Sequence, residues 1–276
     1  MSDSKPAIQF SSSHAPVQRM EQQLDLVDRL LAEGELAQAL VPANITNSLG
    51  MQMLWCPPRV FLMGSPEDEE ERGENENQVQ VQISKGFWMA RTTVTQGQWE
   101  VIMDSNPSCY KGPNRPVESV SWQDALEFCK KLNDVEQLPS SYHYALPTEA
   151  QWEHACRAGE NGPYWGGSLD EVGWYRGVSW YGYNSAGGTN PVCQKKPNAW
   201  GLHDMHGNVY EWCADWYDDT LLGGTDPKGP SSGVYRVARG GSWFISASRC
   251  RAAFRYGIYP GYRDDGLGFR PALVPS

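Results

Sequence analysis

The chain has 276 residues, of which 40% are hydrophobic, and this size and composition predict one large globular domain or two smaller ones. A net charge of −10 excludes nucleic acid and anionic membrane surfaces as partners, because both would repel so acidic a protein. No apolar stretch approaches the roughly 20 residues of a membrane span and no export signal opens the chain, so we expect a cytoplasmic protein, with display at a cell surface left open.

The first segment of the chain predicts a short amphipathic helix over residues 17–40. Hydrophobic residues recur there from Met20 to Leu31 at steps of four, three and four, which places them on one helical face. Such a helix would pack on the main domain or pair with a second copy of itself. Pro42 and the polar residues up to Asn47 end this segment. We therefore predict a tail and helix over residues 1–46 and a second domain over residues 47–276.

Short strands and an acidic loop are predicted next. Alternation in residues 51–63 and 79–89 is typical of strands, and the bend at Pro57 and Pro58 makes residues 51–63 either two strands or a hairpin. The acidic run over residues 67–76 lacks the spaced Asp and Gly residues of a calcium loop. It is therefore interpreted as a solvated loop.

Three helices are predicted to begin after Thr95, Ser121 and Thr148. A hydroxyl oxygen at such a position can accept a hydrogen bond from the first turn of a helix, and Asp124 follows Ser121 at the spacing of a capping box. Beyond Arg157, Gly, Asn, Trp and Tyr dominate, which indicates long ordered loops. Helices in the first part and strands with loops later favour an α+β fold.

Residues 236–271, here called the recognition segment, combine glycines and arginines with residues that follow no hydrophobic period. Gly240 and Gly241 allow a close backbone approach that a β-carbon would block, and Trp243 offers a large apolar face. An arginine can tie several loop carbonyls at once through its five donors. We interpret these residues as a rigid frame that carries a recognition surface; its arginines are Arg249, Arg251, Arg255, Arg263 and Arg270.

Fourteen residues between the frame positions are candidates for ligand contacts. Tyr, Ser and Gly are typical of binding loops, because Tyr gives contact area at low entropy cost while Ser and Gly adapt. The adjacent carboxylates of Asp264 and Asp265 would favour a cationic group on a protein or other macromolecular ligand. Burial in an irregular core stays an alternative for Phe244, Ile245 and Phe254. The candidates are Phe244, Ile245, Ser246, Ser248, Phe254, Tyr256, Gly257, Ile258, Tyr259, Gly261, Tyr262, Asp264, Asp265 and Gly266.

Cysteines and histidines give little support for a transition-metal site. The seven cysteines include no Cys-x-x-Cys pair, which predicts buried thiols in a reducing compartment. His203 and His206 are three residues apart, yet Gly207 beside them disfavours a helix. We interpret both histidines as ordinary polar residues.

Several phrases of the sequence, in the expected order, resemble the formylglycine-generating enzyme and sulfatase-modifying-factor domain. The resemblance runs from about residue 47 to the C-terminus and implies a C-type-lectin-like fold, a compact α+β domain with little regular structure for its size. The phrases are residues 61–66, 92–100, 116–133, 146–159, 201–217, 236–243 and 268–271.

The resemblance also bears on catalysis. Enzymes of that family share a GGSY-x-C-x4-C pattern in which two thiols bind copper and engage a substrate cysteine, a pairing that suits soft Cu(I). Ile245 occupies the first thiol position here, and Cys250 falls at the second only if no gap is allowed. The incomplete pair favours a non-catalytic protein that requires no cofactor. A divergent oxidase or protein-maturation factor that uses Cys250 is the alternative.

The variable proteins of diversity-generating retroelements resemble the same domain and end in the same frame. Adenine rewriting of their Asn codons yields codons that cannot encode Glu, Gln, Lys, Met or Trp, and residues 244–276 contain none of these five. This resemblance implies a ligand-binding protein whose variable region spans about residues 240–271.

The family's enzymes also bind a structural calcium ion at the segment that corresponds to residues 204–211. The matching ligands would be the carboxylates of Asp204 and Glu211 and the carbonyls of Gly207 and Val209. Calcium prefers such oxygen ligands. A loop held by salt bridges or backbone hydrogen bonds of the two carboxylates is the other interpretation.

Overall fold

The structure, a computed structural model, describes residues 44–176 and 187–276. The predicted N-terminal helix at residues 17–40 lies outside these ranges. Within them the chain forms fourteen short strands and four α-helices, which confirms the α+β class. None of the helices in these ranges is long and apolar enough to cross a membrane.

The largest sheet is antiparallel and has five strands. Because its first strand pairs with the second, residues 45–46 fold together with the domain that the sequence analysis begins at residue 47. In spatial order the strands are β1 (Ile45–Thr46), β2 (Gln52–Cys56), β5 (Phe87–Ala90), β14 (Ala272–Pro275) and β6 (Tyr142–Ala145).

A four-stranded sheet supports the recognition segment. Its strands, in spatial order, are β12 (Tyr256–Ile258), β11 (Arg236–Arg239), β9 (Tyr210–Trp216) and β13 (Leu267–Gly268). β11 pairs with one edge of β9 and β13 with the other. The chain between β11 and β13, which includes β12, therefore runs from one side of β9 to the other, and both of its ends are fixed.

Two smaller sheets complete the strand set. One orders β10 (Gly224–Thr225), β4 (Val79–Ile83) and β3 (Arg59–Met63), and the other pairs β7 (Gly173–Trp174) with β8 (His206–Gly207). The hairpin alternative for residues 51–63 is wrong, because β2 pairs within the five-stranded sheet whereas β3 pairs with β4. Four residues of β2 are buried, whereas most of β3 is exposed or half-buried, so the two strands suit different surroundings.

The predicted helix starts are confirmed. Helices α1 (Gln96–Met103), α2 (Trp122–Glu136) and α3 (Glu149–Arg157) are each preceded by a capping box on Thr95, Ser121 or Thr148. A fourth helix, α4, spans Leu169–Val172. The larger core cluster joins α1 and α2 to both major sheets, with Trp88 of β5, Phe128 of α2 and Trp212 of β9 all fully buried.

Candidate ligand-binding site

A pocket of about 370 Å³ opens at the surface beside β12, and we call it the tyrosine pocket. Eight of the fourteen candidate residues line it: Phe244, Ile245, Tyr256, Gly257, Ile258, Tyr259, Tyr262 and Asp264. Its other lining residues are Tyr210, Tyr235, Arg249 and Leu267.

The tyrosines of the recognition segment form the exposed rim of the tyrosine pocket. Tyr256, Tyr259 and Tyr262 are 45%, 62% and 51% exposed, so their rings are available for contact with a partner. Tyr256 also lies against Tyr210 of β9, with ring centroids 5.8 Å apart. Strand β9 thus fixes the inner wall while the recognition segment supplies the rim.

The apolar candidates divide between pocket and core. Ile245 and Phe254 are half-buried and pack against the larger core cluster, as the alternative interpretation allowed. Phe254 lies outside the pocket lining but stacks on Tyr256 at 6.5 Å between ring centroids. Ile258 lines the pocket although its side chain is only 8% exposed. These residues therefore support the rim more than they extend it.

Five further candidates, besides Phe254, lie outside the pocket lining. The hydroxyls of Ser246 and Ser248 are hydrogen-bonded to each other at 3.0 Å. Gly261 is exposed and Asp265 is half-buried. Gly266 is buried, and a β-carbon there would collide with the Phe244 ring, so its ligand contact stays a prediction. Its role is to let that ring lie close to the backbone.

Buried arginines hold the recognition segment to the scaffold, as the frame interpretation predicted. Arg239 pairs with Glu153 and donates to the carbonyls of Ala252, Ala253 and Phe254. Gly240 and Gly241 take positive φ angles of 90° and 76°, and the Gly240 carbonyl accepts the Gly207 N–H at 2.6 Å. A β-carbon on Gly241 would lie 2.5 Å from Cys250 Sγ, so the close backbone approach expected at this glycine pair is present.

Besides Arg239, three more buried arginines of the recognition segment make ion pairs with distant parts of the chain. Arg255 donates to both carboxylate oxygens of Glu149 at 2.6 and 2.8 Å. Arg270 bonds both oxygens of Glu211 at 2.8 and 2.7 Å. Such paired hydrogen bonds fix orientation as well as distance.

The third of these arginines corrects the interpretation of the acidic run. Arg251 pairs with Glu69 at 2.6 Å and with Glu76 at 2.7 Å. Burial alone would raise the pKa of Glu76, but the hydrogen bonds and charge of Arg251 outweigh it and hold that pKa below its usual value. The run is therefore not a purely solvated loop, because two of its glutamates anchor the recognition segment.

The frame interpretation is wrong for Arg249. This side chain is exposed and lines the tyrosine pocket instead of bracing a loop. Arg263 is also exposed and makes a surface ion pair with Asp124 at 2.7 Å. Identical residue types at neighbouring frame positions thus have different roles, which only the backbone path distinguishes.

The acidic pair does not present free carboxylates to the pocket. Asp264 accepts the Gly266 N–H at 2.9 Å through Oδ1 and the Tyr262 hydroxyl at 3.3 Å through Oδ2. Burial and the neighbouring charge of Asp264 raise the pKa of Asp265, which is outside the pocket lining. Asp264 therefore shapes its own turn, and the expectation of a cationic ligand group loses its main support.

Cys250 does not have the surroundings of a reactive thiol. It is fully buried against Leu169 and Val172. Burial raises the pKa of its thiol to about 12, which disfavours the thiolate that binds copper or attacks a substrate. All seven cysteines are free, and five of them are buried.

The two carboxylates among the predicted calcium ligands are unequally available. Glu211 is bonded to Arg270 and also accepts the Trp152 indole N–H at 2.7 Å. Asp204 accepts the Cys193 N–H through Oδ2 at 2.9 Å, while its buried Oδ1 has no hydrogen-bond partner in the part of the chain that the structure describes. Asp204 therefore fits an oxygen-ligated cation, whereas Glu211 could join it only by sharing its carboxylate with Arg270. The calcium site stays a prediction.

The sequence of this chain is similar to a described protein family and to individual proteins of several organisms. Residues 38–274 match the family described as sulfatase-modifying factor enzyme 1-like domain. The chaperone protein LppX of Paenibacillus barcinonensis is 33% identical over 227 residues, which cover 66% of this chain and 76% of LppX. The formylglycine-generating enzyme of Streptomyces coelicolor is 38% identical over 176 residues, which cover 58% of this chain and 53% of the enzyme. The chain thus spans about half the length of that enzyme.

Solved structures with this fold include proteins of different kinds. Treponema denticola variable protein 1 superposes with a TM-score of 0.74 and 32% identity, covering 85% of this chain and 100% of that protein. PvdO from Pseudomonas aeruginosa gives a TM-score of 0.75 and 27% identity, covering 86% and 100%. These likenesses confirm the predicted fold, the C-type-lectin-like fold of the formylglycine-generating-enzyme type.

Proposed function

Because this chain belongs to the sulfatase-modifying factor enzyme 1-like domain family, whose fold it shares with a variable protein, we propose that it is a non-catalytic binding protein. Its ligand is a protein or other macromolecule, which it holds at the tyrosine pocket. The surface around that pocket is diversified by a retroelement, as the residue alphabet of residues 244–276 indicates.

One observation carries this proposal. Eight residues chosen from the sequence alone converge on a single pocket, although they come from separate stretches of residues 244–264. The backbone that carries them is braced by buried ion pairs of Arg251, Arg255 and Arg270, none of which lines that pocket. Substitutions at the rim would therefore change which partner binds without removing what holds the loops in place.

The nucleotide sequence around the gene tests the diversification directly. We expect a near-repeat of the segment that encodes residues 240–270, differing only where the repeat has adenine, with a reverse transcriptase gene nearby. Differences scattered over other bases, or no repeat at all, would argue against a retroelement.

A display experiment tests the binding role without knowledge of the natural ligand. Tyr256, Tyr259 and Tyr262 are randomised in one library, and the exposed residues Val60 and Leu62 of β3 with Val101 of α1 in a control library. Both libraries should retain folded protein, but only the first should yield binders to a panel of unrelated proteins. Equal yields from the two libraries would contradict a binding role for the tyrosine pocket.

The alternative is a divergent oxidase or maturation factor that uses Cys250, and the family membership supports it. It predicts copper binding and thiol-dependent oxygen uptake, both abolished in Cys250→Ser. We expect neither activity in the wild-type protein, because Cys250 is buried and Ile245 occupies the position of the family's other thiol. Copper-dependent oxygen uptake by the wild type that disappears in Cys250→Ser would establish the oxidase instead.

A further inference from the structure

The inner wall of the tyrosine pocket contains a polar group that the fold leaves unsatisfied. Tyr210 lines the pocket and is only 4% exposed, and its buried hydroxyl has no hydrogen-bond partner within residues 44–176 and 187–276. Burial raises the pKa of this phenol, so it stays protonated and can donate a hydrogen bond. Since a buried hydroxyl without a partner is unfavourable, a ligand group that accepts this hydrogen bond would be favoured here.

A positive charge lies beside this hydroxyl. The guanidinium of Arg249 is close enough to lower the pKa of Tyr210, against the larger effect of burial, although no hydrogen bond of normal geometry joins the two side chains. Arg249 is exposed and, among the residues that the structure describes, forms no ion pair, unlike Arg251, Arg255 and Arg270. Its donors are therefore available to a ligand.

The negative charge in the pocket is already engaged. Asp264 accepts hydrogen bonds from Gly266 and Tyr262 and is the only carboxylate among the lining residues described. Its effect on pKa values is felt at Tyr262, whereas that of Arg249 is felt at Tyr210. Asp264 therefore has little free hydrogen-bonding capacity, whereas Arg249 and the Tyr210 hydroxyl are unengaged among the described residues.

We propose that the tyrosine pocket binds the carboxylate of an Asp or Glu side chain on a partner protein, with Arg249 and the Tyr210 hydroxyl as donors. This inference rests on the proposed binding function. Two donors, one of them a cation, match a carboxylate, whereas a Lys or Arg side chain would be repelled by Arg249. The apolar walls formed by Phe244, Ile245 and Leu267 would accept an aliphatic or aromatic residue beside the acid.

This anchor has a consequence for specificity. Neither Tyr210 nor Arg249 belongs to the fourteen candidate positions. Changes at the rim would therefore select different sequences around a shared acidic determinant.

The test selects binders of the whole protein from a phage library of random peptides. Each peptide is joined to the phage coat protein at both of its ends. The variants are Arg249→Gln and Tyr210→Phe, which keep most of the side-chain volume, with Arg263→Gln as a matched control because Arg263 is exposed on the same segment. Peptides enriched by the wild type should carry Asp or Glu beside an apolar residue. A peptide selected in this way should bind Arg249→Gln about tenfold to 100-fold more weakly, Tyr210→Phe about tenfold more weakly, and Arg263→Gln equally well.

The outcomes separate this inference from the proposed function. The carboxylate anchor alone would be overturned by peptides whose binding is lost when Tyr256 and Tyr259 are replaced by Ala but which show no preference for Asp or Glu. Peptides that bind Arg249→Gln as tightly as the wild type would overturn it as well. If no enriched peptide depends on Tyr256 or Tyr259, the proposed function fails and the anchor fails with it.

Discussion

Replacing Arg270 by Met should be one of the most destabilising single changes in this domain. Arg270 is fully buried and donates five hydrogen bonds: two to Glu211 and one each to the carbonyls of Ala90, Arg91 and His203. Methionine would fill much of the same volume but offers no donor. The change therefore isolates the loss of charge and hydrogen bonds from the creation of a cavity.

The size of the stability loss follows from the buried carboxylate that the substitution leaves without its arginine. Glu211 is 1% exposed and, among the residues that the structure describes, its side chain would keep only the Trp152 indole N–H as a partner. Removing one member of a buried ion pair typically costs about 3–5 kcal/mol in the free energy of unfolding, because the other charge stays buried without compensation. For a domain of this size that corresponds to a fall of roughly 6–20 °C in melting temperature.

Urea unfolding followed by tryptophan fluorescence would measure this loss. Arg263→Met is the matched control, because the exposed pair of Arg263 with Asp124 should contribute no more than about 1 kcal/mol. Adding Glu211→Gln to Arg270→Met should recover part of the stability by removing the buried charge. A loss below about 1 kcal/mol for Arg270→Met, or a double variant less stable than the single one, would refute the reasoning.

Three further predictions concern the predicted calcium ligand and the glycine pair. Burial raises the pKa of Asp204 to about 6, so the folded state binds a proton there below pH 6, whereas the unfolded state does so only below about pH 4. As the pH falls from 7 to 4, the free energy of unfolding of the wild type should therefore rise by up to about 3 kcal/mol relative to that of Asp204→Asn. Parallel pH profiles of the two proteins would contradict this. At pH 7, millimolar CaCl₂ should raise the melting temperature of the wild type but not of Asp204→Asn, and MgCl₂ should have little effect; equal shifts in both proteins would exclude calcium at Asp204. Gly241→Ala should lower the free energy of unfolding in urea more than Gly50→Ala does. Both glycines have positive φ, but only at Gly241 would a β-carbon meet other atoms, with Cys250 Sγ at 2.5 Å. Equal losses of stability would show that this contact is relieved without cost.

The local signals in the sequence predicted three of the four helices in the described residues and the glycine pair of the frame. Capping at Thr95, Ser121 and Thr148 depends on residues three positions apart, so the sequence carries that information directly. The positive φ angles of Gly240 and Gly241 likewise follow from residue type. The candidate site was located for a similar reason, since most of its lining comes from one continuous segment.

Long-range contacts could not be predicted in the same way. Periodicity indicates a strand but not its partner, so the assignment of β2 and β3 to different sheets was not foreseeable. Tyr210 reaches the tyrosine pocket because β9 pairs with β13, a contact across 57 residues from Tyr210 to Leu267. Arg249 differs from Arg251 only in where the backbone of a short 3₁₀ turn directs the side chain, and no sequence signal distinguished the two.

The attachment of the recognition segment to both edges of β9 also determines how the domain tolerates insertions into that segment. Gly261 lies between β12, which pairs with β11, and β13, which pairs with β9, so the sheet holds both ends of this loop. The closure entropy of a flexible loop grows only logarithmically, by about 0.6 kcal/mol for each doubling. Short insertions near the exposed Gly261 should therefore fold nearly as well as the natural chain. The domain can thus serve as a host for grafted peptides, because the scaffold fixes the exit and entry points of the loop independently of how many residues connect them.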